Sequence, residues 1–141
     1  MVSDLATGLW AGLAYTLSGV ALMLLGVLLV DLLVPGNVRE QVWEHRNGNL
    51  AVVLAAELLG VGAIVTSAIL SSGDELGRGI ADTFGFGVLG LVLMAVAFVV
   101  VDMLTPGRLG ALLAESRPHP AAWVTAAANL ATASIIAAAI S

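Results

Sequence analysis

Four long apolar runs, almost free of charged residues, constrain this chain more than any other feature of its sequence. The runs at residues 5–30, 83–101 and 120–141 carry no charged residue, and the run at 47–73 carries one, Glu57. Because a helix needs about 20 mostly apolar residues to cross a bilayer, each run is long enough for one transmembrane span. We therefore predict an all-α membrane bundle of four helices. Their expected positions are roughly residues 8–33, 49–71, 80–104 and 120–140.

The composition excludes several other classes of protein. The chain is 60% hydrophobic and 11% charged, whereas soluble domains are about 25% charged. A nucleic-acid partner would require a basic patch, but the net charge is −5, with five arginines and no lysine. The chain has no cysteine, and its sequence pairs no nucleophile with a base and groups no set of metal ligands. We therefore predict no nucleic-acid partner, no catalytic residue, no bound metal and no cofactor.

The arginines predict the orientation in the membrane. Four of the five lie in the connectors that follow the first and third helices, and only Arg78 lies between the second and third. Cytoplasmic loops of membrane proteins carry an excess of Lys and Arg. We therefore expect both connectors in the cytoplasm and both termini outside. The four interfacial charges are Arg39, Arg46, Arg108 and Arg117.

The second half of the chain repeats the first. At a shift of 71 residues, V-D-L-L-V-P-G at Val30–Gly36 falls on V-D-M-L-T-P-G at Val101–Gly107. A Glu and an Arg in each following connector match in the same register. We therefore predict a tandem duplication within one membrane domain. The domain covers residues 1–141, with repeats at approximately 8–71 and 79–141.

Each predicted repeat consists of a helix, the motif, a short amphipathic segment and a second helix. Pro35 and Pro106 end the odd-numbered helices because proline cannot continue a helix, and Gly36 and Gly107 allow the turn that follows. We expect the short segments either to lie flat on the membrane surface or to serve as simple re-entry connectors.

The paired motif resembles a family of small bacterial membrane proteins, domain of unknown function 350, also called YjfL-like. The resemblance covers nearly the whole chain. Where the first repeat has Asn49, the second has Pro120, so the halves differ at that position. The resemblance implies a four-helix inner-membrane protein built by duplication, with no assigned activity. The residues that carry it are Asp31, Pro35, Gly36, Asn49, Asp102, Pro106 and Gly107.

Glu57 is the deepest charged residue and the best candidate for an intramembrane polar site. A carboxyl group at that depth costs roughly 3 kcal/mol and normally faces the bundle interior. Thr125, Asn129 and Thr132 form one polar stripe on the fourth helix, because they fall at i, i+4 and i+7. A structural Glu57–Asn129 hydrogen bond, a proton or cation path and an oligomer contact all remain open.

Asp31 and Asp102 lie near helix C-termini, where the helix dipole disfavours an anion. We expect either ion pairs with the connector arginines or a cation or proton site across the pseudo-twofold axis. Asp82 is interpreted as the start signal of the third helix. His45 and His119 are expected to be interfacial side chains. Glycines in helices 1 and 3 predict close helix packing; they are Gly8, Gly12, Gly19, Gly26, Gly85, Gly87 and Gly90.

Three functional hypotheses remain. The first, which we favour, is a non-catalytic module that forms a homo-oligomer or joins a membrane-protein partner in envelope organisation or stress response. The second is a small oligomeric cation or proton channel, or a proton-coupled transporter. The third, a membrane enzyme, lacks catalytic residues. A dry Glu57–Asn129 contact would favour the module, whereas a wet cavity joining Glu57 to either aspartate would favour transport.

Overall fold

The fold is an all-α bundle, as predicted from the four apolar runs. The computed structural model describes residues 1–115 and 117–141. Four of its helices are long and apolar enough to span a membrane, and two are short connectors. The helices are α1 (Val2–Leu33), α2 (Val38–Trp43), α3 (Gly48–Ser71), α4 (Leu76–Leu104), α5 (Leu109–Ala114) and α6 (Pro120–Ile140).

Two spanning helices begin earlier than predicted. The helix α1 starts at Val2, where Asp4 lies favourably in the first turn. The helix α4 starts at Leu76 with Glu75 as its N-cap residue, so Arg78 lies in its first turn rather than in the preceding connection. The interpretation of Asp82 as a start signal is wrong, because this exposed residue lies in the second turn. Neither extension contains a proline that would stop the helix.

The helix α3 forms the centre of the bundle. It packs against α1, α4 and α6, and its contact with α6 is the most extensive between any two helices described. Both α1 and α6 contact α3 and α4. With 32 residues, α1 is about 48 Å long. A helix of this length exceeds the hydrocarbon thickness of about 30 Å, so it must tilt or extend beyond the membrane core.

Several glycines lie at close helix contacts, including Gly87 and Gly90 of the predicted set. A Cβ added at Gly60 would lie 2.9 Å from both Ala133 Cβ and Met94 Cε. Equivalent additions at Gly87 and Gly90 would overlap side chains of α1 and α3. In contrast, no described atom outside the local helix lies within 4 Å of such a Cβ at Gly8, Gly12 or Gly85.

The connectors pack against one end of the bundle. Val38 of α2, together with Leu109 and Leu113 of α5, is buried in an apolar cluster that includes Leu50 of α3. Their apolar faces therefore contact protein, which differs from the first of the two alternatives, that these segments lie flat on the membrane surface. Trp43 is the exception, with 67% of its surface exposed.

Candidate functional site

Glu57 and Asn129 form a buried polar pair between α3 and α6. Each residue is 2% exposed. Asn129 Nδ2 donates a hydrogen bond to Glu57 Oε2 at 3.0 Å. The hydrogen bond, one of the three alternatives that the sequence left open, is therefore present. It lies near Gly60, where the absence of a side chain lets the two helices approach closely.

The two threonines of the predicted polar stripe do not join this pair. Thr125 is fully buried, but its Oγ1 donates to the main-chain oxygen of Ala121 at 2.7 Å, within its own helix. Thr132 is half-buried, and no hydrogen bond of its side chain is present in the described chain. The structure thus brings together two of the four residues proposed for the intramembrane site.

The surroundings of Glu57 are closely packed. The adjoining cavity has a volume of about 10 Å³ and is lined by Glu57, Asn129 and apolar side chains of α1, α3 and α4. That volume is about the minimum for one water molecule. Glu57 Oε1 is buried and has no hydrogen-bond partner among the described residues. Neither Asp31 nor Asp102 lines this cavity.

The two motif aspartates cap the short connector helices. Asp31 Oδ1 accepts a hydrogen bond from the Val38 N–H at 3.0 Å, and Asp102 Oδ1 accepts one from the Leu109 N–H at 2.7 Å. An anion suits these N–H groups because a helix N-terminus carries unpaired donors. Gly36 and Gly107, each with φ +91°, reverse the chain between carboxylate and N–H. Only glycine adopts this backbone conformation without strain.

The predicted ion pairs of these aspartates are wrong. In the part of the chain that the structure describes, neither carboxylate lies within 4.0 Å of an arginine nitrogen. The side chains of Arg39, Arg46, Arg108 and Arg117 are exposed. The N–H groups, not the arginines, compensate for the unfavourable position of each aspartate at a helix C-terminus.

Asp102 and Arg108 line a cavity of about 260 Å³ at the connector end, which we call the connector vestibule. It is bounded by Leu33 of α1, by Pro35 in the turn that follows α1 and by Phe98 of α4. Asp31 does not line it. The vestibule therefore contains one of the two motif aspartates, not a site shared by both.

Two asparagines join the connectors to each other. Asn49, 5% exposed, donates through Nδ2 to the main-chain oxygens of Glu115 at 3.1 Å and Arg117 at 2.6 Å. Its Oδ1 accepts from the His119 N–H at 3.0 Å. Asn47, 2% exposed, donates to the Leu113 oxygen at 2.8 Å. We call these two residues the asparagine clamp.

Sequence reasoning missed Asn47, although a local signal was available. Asn47 Oδ1 accepts from the Leu50 N–H at 3.1 Å and thereby caps α3. Asparagine immediately before an apolar run is a typical helix start signal. Its contact with α5 is a tertiary feature that no local pattern indicates.

The histidines contribute to local structure in the connectors. His119 Nδ1 accepts a hydrogen bond from the Ala121 N–H at 3.0 Å and caps α6. His45 Nε2 lies 3.3 Å from Glu40 Oε1 on the exposed surface. With Glu44, these two side chains could approach a metal ion, but all three are exposed.

Comparisons with known proteins identify relatives over almost the full length. The chain matches the family described as Domain of Unknown Function (DUF350) over residues 4–140. A UPF0719 transmembrane protein of Mycolicibacterium paratuberculosis is 33% identical over 134 residues, which cover 95% of this chain and 89% of the relative. UPF0719 transmembrane proteins of Mycobacterium bovis and Mycobacterium tuberculosis are each 40% identical over 135 residues, covering 95% of this chain and 88% of each relative. No solved structure matches the chain. None of these names indicates a catalytic activity.

Proposed function

We propose that this chain, which belongs to the DUF350 family, is a non-catalytic module of the bacterial inner membrane. In this proposal it acts as a homo-oligomer or as a subunit of a membrane-protein assembly, in envelope organisation or stress response. The observation that carries the proposal is a surface on the N-terminal third of α1 that has no partner among the described residues. A module of this kind needs contact surfaces and no reaction chemistry.

The packing around Glu57 supports a module rather than a conducting path. A cation or proton channel, or a proton-coupled transporter, needs polar or wetted contacts from one face of the membrane to the other. The cavity at Glu57 has a volume of only about 10 Å³ and contains neither motif aspartate. On the side away from the connectors, apolar side chains of α1, α3, α4 and α6 form a buried cluster.

The unpartnered surface contains two glycines one helical turn apart. Met1 and the α1 residues at 2–10 are exposed, including Trp10 at 63%. No described atom outside the local helix would contact a Cβ at Gly8 or Gly12. Small residues four positions apart let two membrane helices approach closely, and packing then stabilises the pair. We therefore assign the homo-oligomer contact to this face.

Gly12→Ile is expected to weaken self-association in lipid vesicles about tenfold, which corresponds to about 1.4 kcal/mol. The added side chain keeps the two α1 helices apart without touching the rest of its own chain. Energy transfer between labelled copies at several protein-to-lipid ratios measures the association. The matched control is Gly85→Ile, because Gly85 is equally open but lies on α4. Unchanged association of Gly12→Ile, or an equal loss in the control, would contradict the assignment.

The orientation that we propose has the connectors in the cytoplasm and both termini outside. Because the chain has no cysteine, single introduced cysteines report on one position each. Ser3→Cys is expected to react with a membrane-impermeant thiol reagent in intact spheroplasts, and Gly48→Cys only after permeabilisation. Both positions are exposed, whereas the neighbouring Asn47 is buried and caps α3. The reverse labelling pattern would refute this orientation.

A further inference from the structure

One carboxylate oxygen of Glu57 makes no hydrogen bond within the described chain. Oε2 accepts the hydrogen bond from Asn129, but Oε1 is buried with no partner in the described chain. An unpaired buried oxygen is costly, and nearly all such groups in native proteins are hydrogen-bonded. Glu57 also lines the cavity of about 10 Å³, which is about the smallest volume that can hold one water molecule.

The Glu57 cavity and the connector vestibule share two lining residues. Leu33 and Phe98 line both cavities. The vestibule, at about 260 Å³, has room for several water molecules. Phe98 is 8% exposed and Leu33 is half-buried. Two apolar side chains therefore lie between a pocket large enough to hold water and the deepest carboxyl group of the protein.

From these observations we propose that Glu57 is a proton-exchange site served from the connector end of the bundle. The connector vestibule is its aqueous reservoir, and Leu33 and Phe98 form the barrier. When these side chains move apart, the proton on Oε1 passes to a vestibule water, leaving a carboxylate and a hydronium ion. A solvent proton then returns to the same oxygen.

The charged groups around this route lie on one side only. Asp102 of α4 and Arg108 before α5 face the vestibule. The helix α1 lines both cavities with apolar side chains only. The helices α3 and α6 line the Glu57 cavity alone, and Glu57 is the one titratable group among its described lining residues. On the far side, Leu22, Val61, Ile64 and Met94 are buried together. Exchange at Glu57 therefore requires neither a path to the opposite face nor a second copy of the chain.

Infrared spectroscopy of the reconstituted full-length chain tests this proposal. We expect one carboxylic-acid carbonyl band that is absent from Glu57→Gln. After transfer to D₂O, this band should shift about tenfold faster in Phe98→Ala than in the wild type. The smaller side chain at position 98 lowers the free energy of local opening. Met94→Ala is the matched control, because Met94 lines the Glu57 cavity but not the vestibule. It should leave the exchange rate unchanged.

A second measurement leaves Phe98 intact. A bulky maleimide on Ala111→Cys, in the vestibule wall, should slow exchange, whereas the same label on Gly73→Cys in the α3–α4 turn should not. The proposal is overturned if Glu57→Gln removes no carbonyl band, if Met94→Ala accelerates exchange as much as Phe98→Ala, or if the vestibule label has no effect. None of these outcomes depends on the self-association measured with Gly12→Ile.

Discussion

Asn49→Ala is expected to lower the free energy of unfolding by roughly 2–4 kcal/mol, because each lost hydrogen bond contributes about 1 kcal/mol and its former partners are left unpaired. The residue is 5% exposed and makes three hydrogen bonds to the second connector. Its three partners lie 66, 68 and 70 positions further along the chain. Equilibrium unfolding in mixed micelles with increasing denaturing detergent measures the loss.

Two further variants test whether the stability loss in Asn49→Ala comes from the lost hydrogen bonds of the asparagine clamp or from removal of an asparagine side chain in general. Asn49→Asp keeps the acceptor for the His119 N–H but places a carboxylate oxygen against the carbonyl oxygens of Glu115 and Arg117. We expect it to be at least as destabilising as alanine. Asn37→Ala removes an exposed cap of α2 that has no tertiary hydrogen bond in the described chain, and should cost about 1 kcal/mol or less. A wild-type stability for Asn49→Asp would show that the amide is not acting as the donor.

Gly60→Val is expected to destabilise the bundle by about 1–3 kcal/mol through overpacking between α3 and α6. A Cβ at this position would lie 2.9 Å from Ala133 Cβ, which is fixed to the backbone of α6 and cannot rotate away. Met94 Cε, also 2.9 Å away, belongs to a flexible side chain and can move. The helix α6 must therefore shift, which lengthens the Glu57–Asn129 hydrogen bond. The same unfolding titration measures the effect.

Gly62→Val provides the control for helix propensity. It makes the same chemical change in the same helix, but no described atom outside the local helix would lie within 4 Å of its Cβ. We expect it to change stability little. In a double-mutant cycle, Ala133→Gly should recover part of the stability lost in Gly60→Val, because it removes the methyl group that causes the clash. Equal losses in Gly60→Val and Gly62→Val would rule out packing as the cause.

The sequence predicts most of the fold because the bilayer imposes a strict length and polarity requirement on a spanning helix. The four apolar runs therefore indicate all four spans. The helix starts at Val2 and Leu76 could not be predicted from this requirement, because residues that lie beyond the apolar core need only tolerate helical geometry. The Glu57–Asn129 pair is also predictable, since polar side chains are scarce in these helices and seek each other in an apolar interior.

The roles of the connector residues cannot be predicted in the same way. Asp31 and Asp102 accept hydrogen bonds from main-chain N–H groups, and every residue except proline carries such a group. No side-chain pattern marks Val38 or Leu109 as a donor. The connector arginines are predicted partners of the two aspartates because of their opposite charge. In the described chain neither aspartate forms an ion pair with them. Asn49 likewise contacts main-chain atoms whose position depends on how the start of α3 meets the second connector.

The asparagine clamp binds main-chain atoms rather than side chains. The hydrogen bonds that hold the second connector therefore do not depend on the charges that this connector exposes. Asn47 and Asn49 bind main-chain atoms at positions 113, 115, 117 and 119, while the side chains of Glu115 and Arg117 point to the surface. Substitutions at these two exposed positions can change the local charge and leave every clamp hydrogen bond in place. Evolution can therefore adjust the electrostatic attraction of this face for lipids or partners without loosening the attachment between the halves.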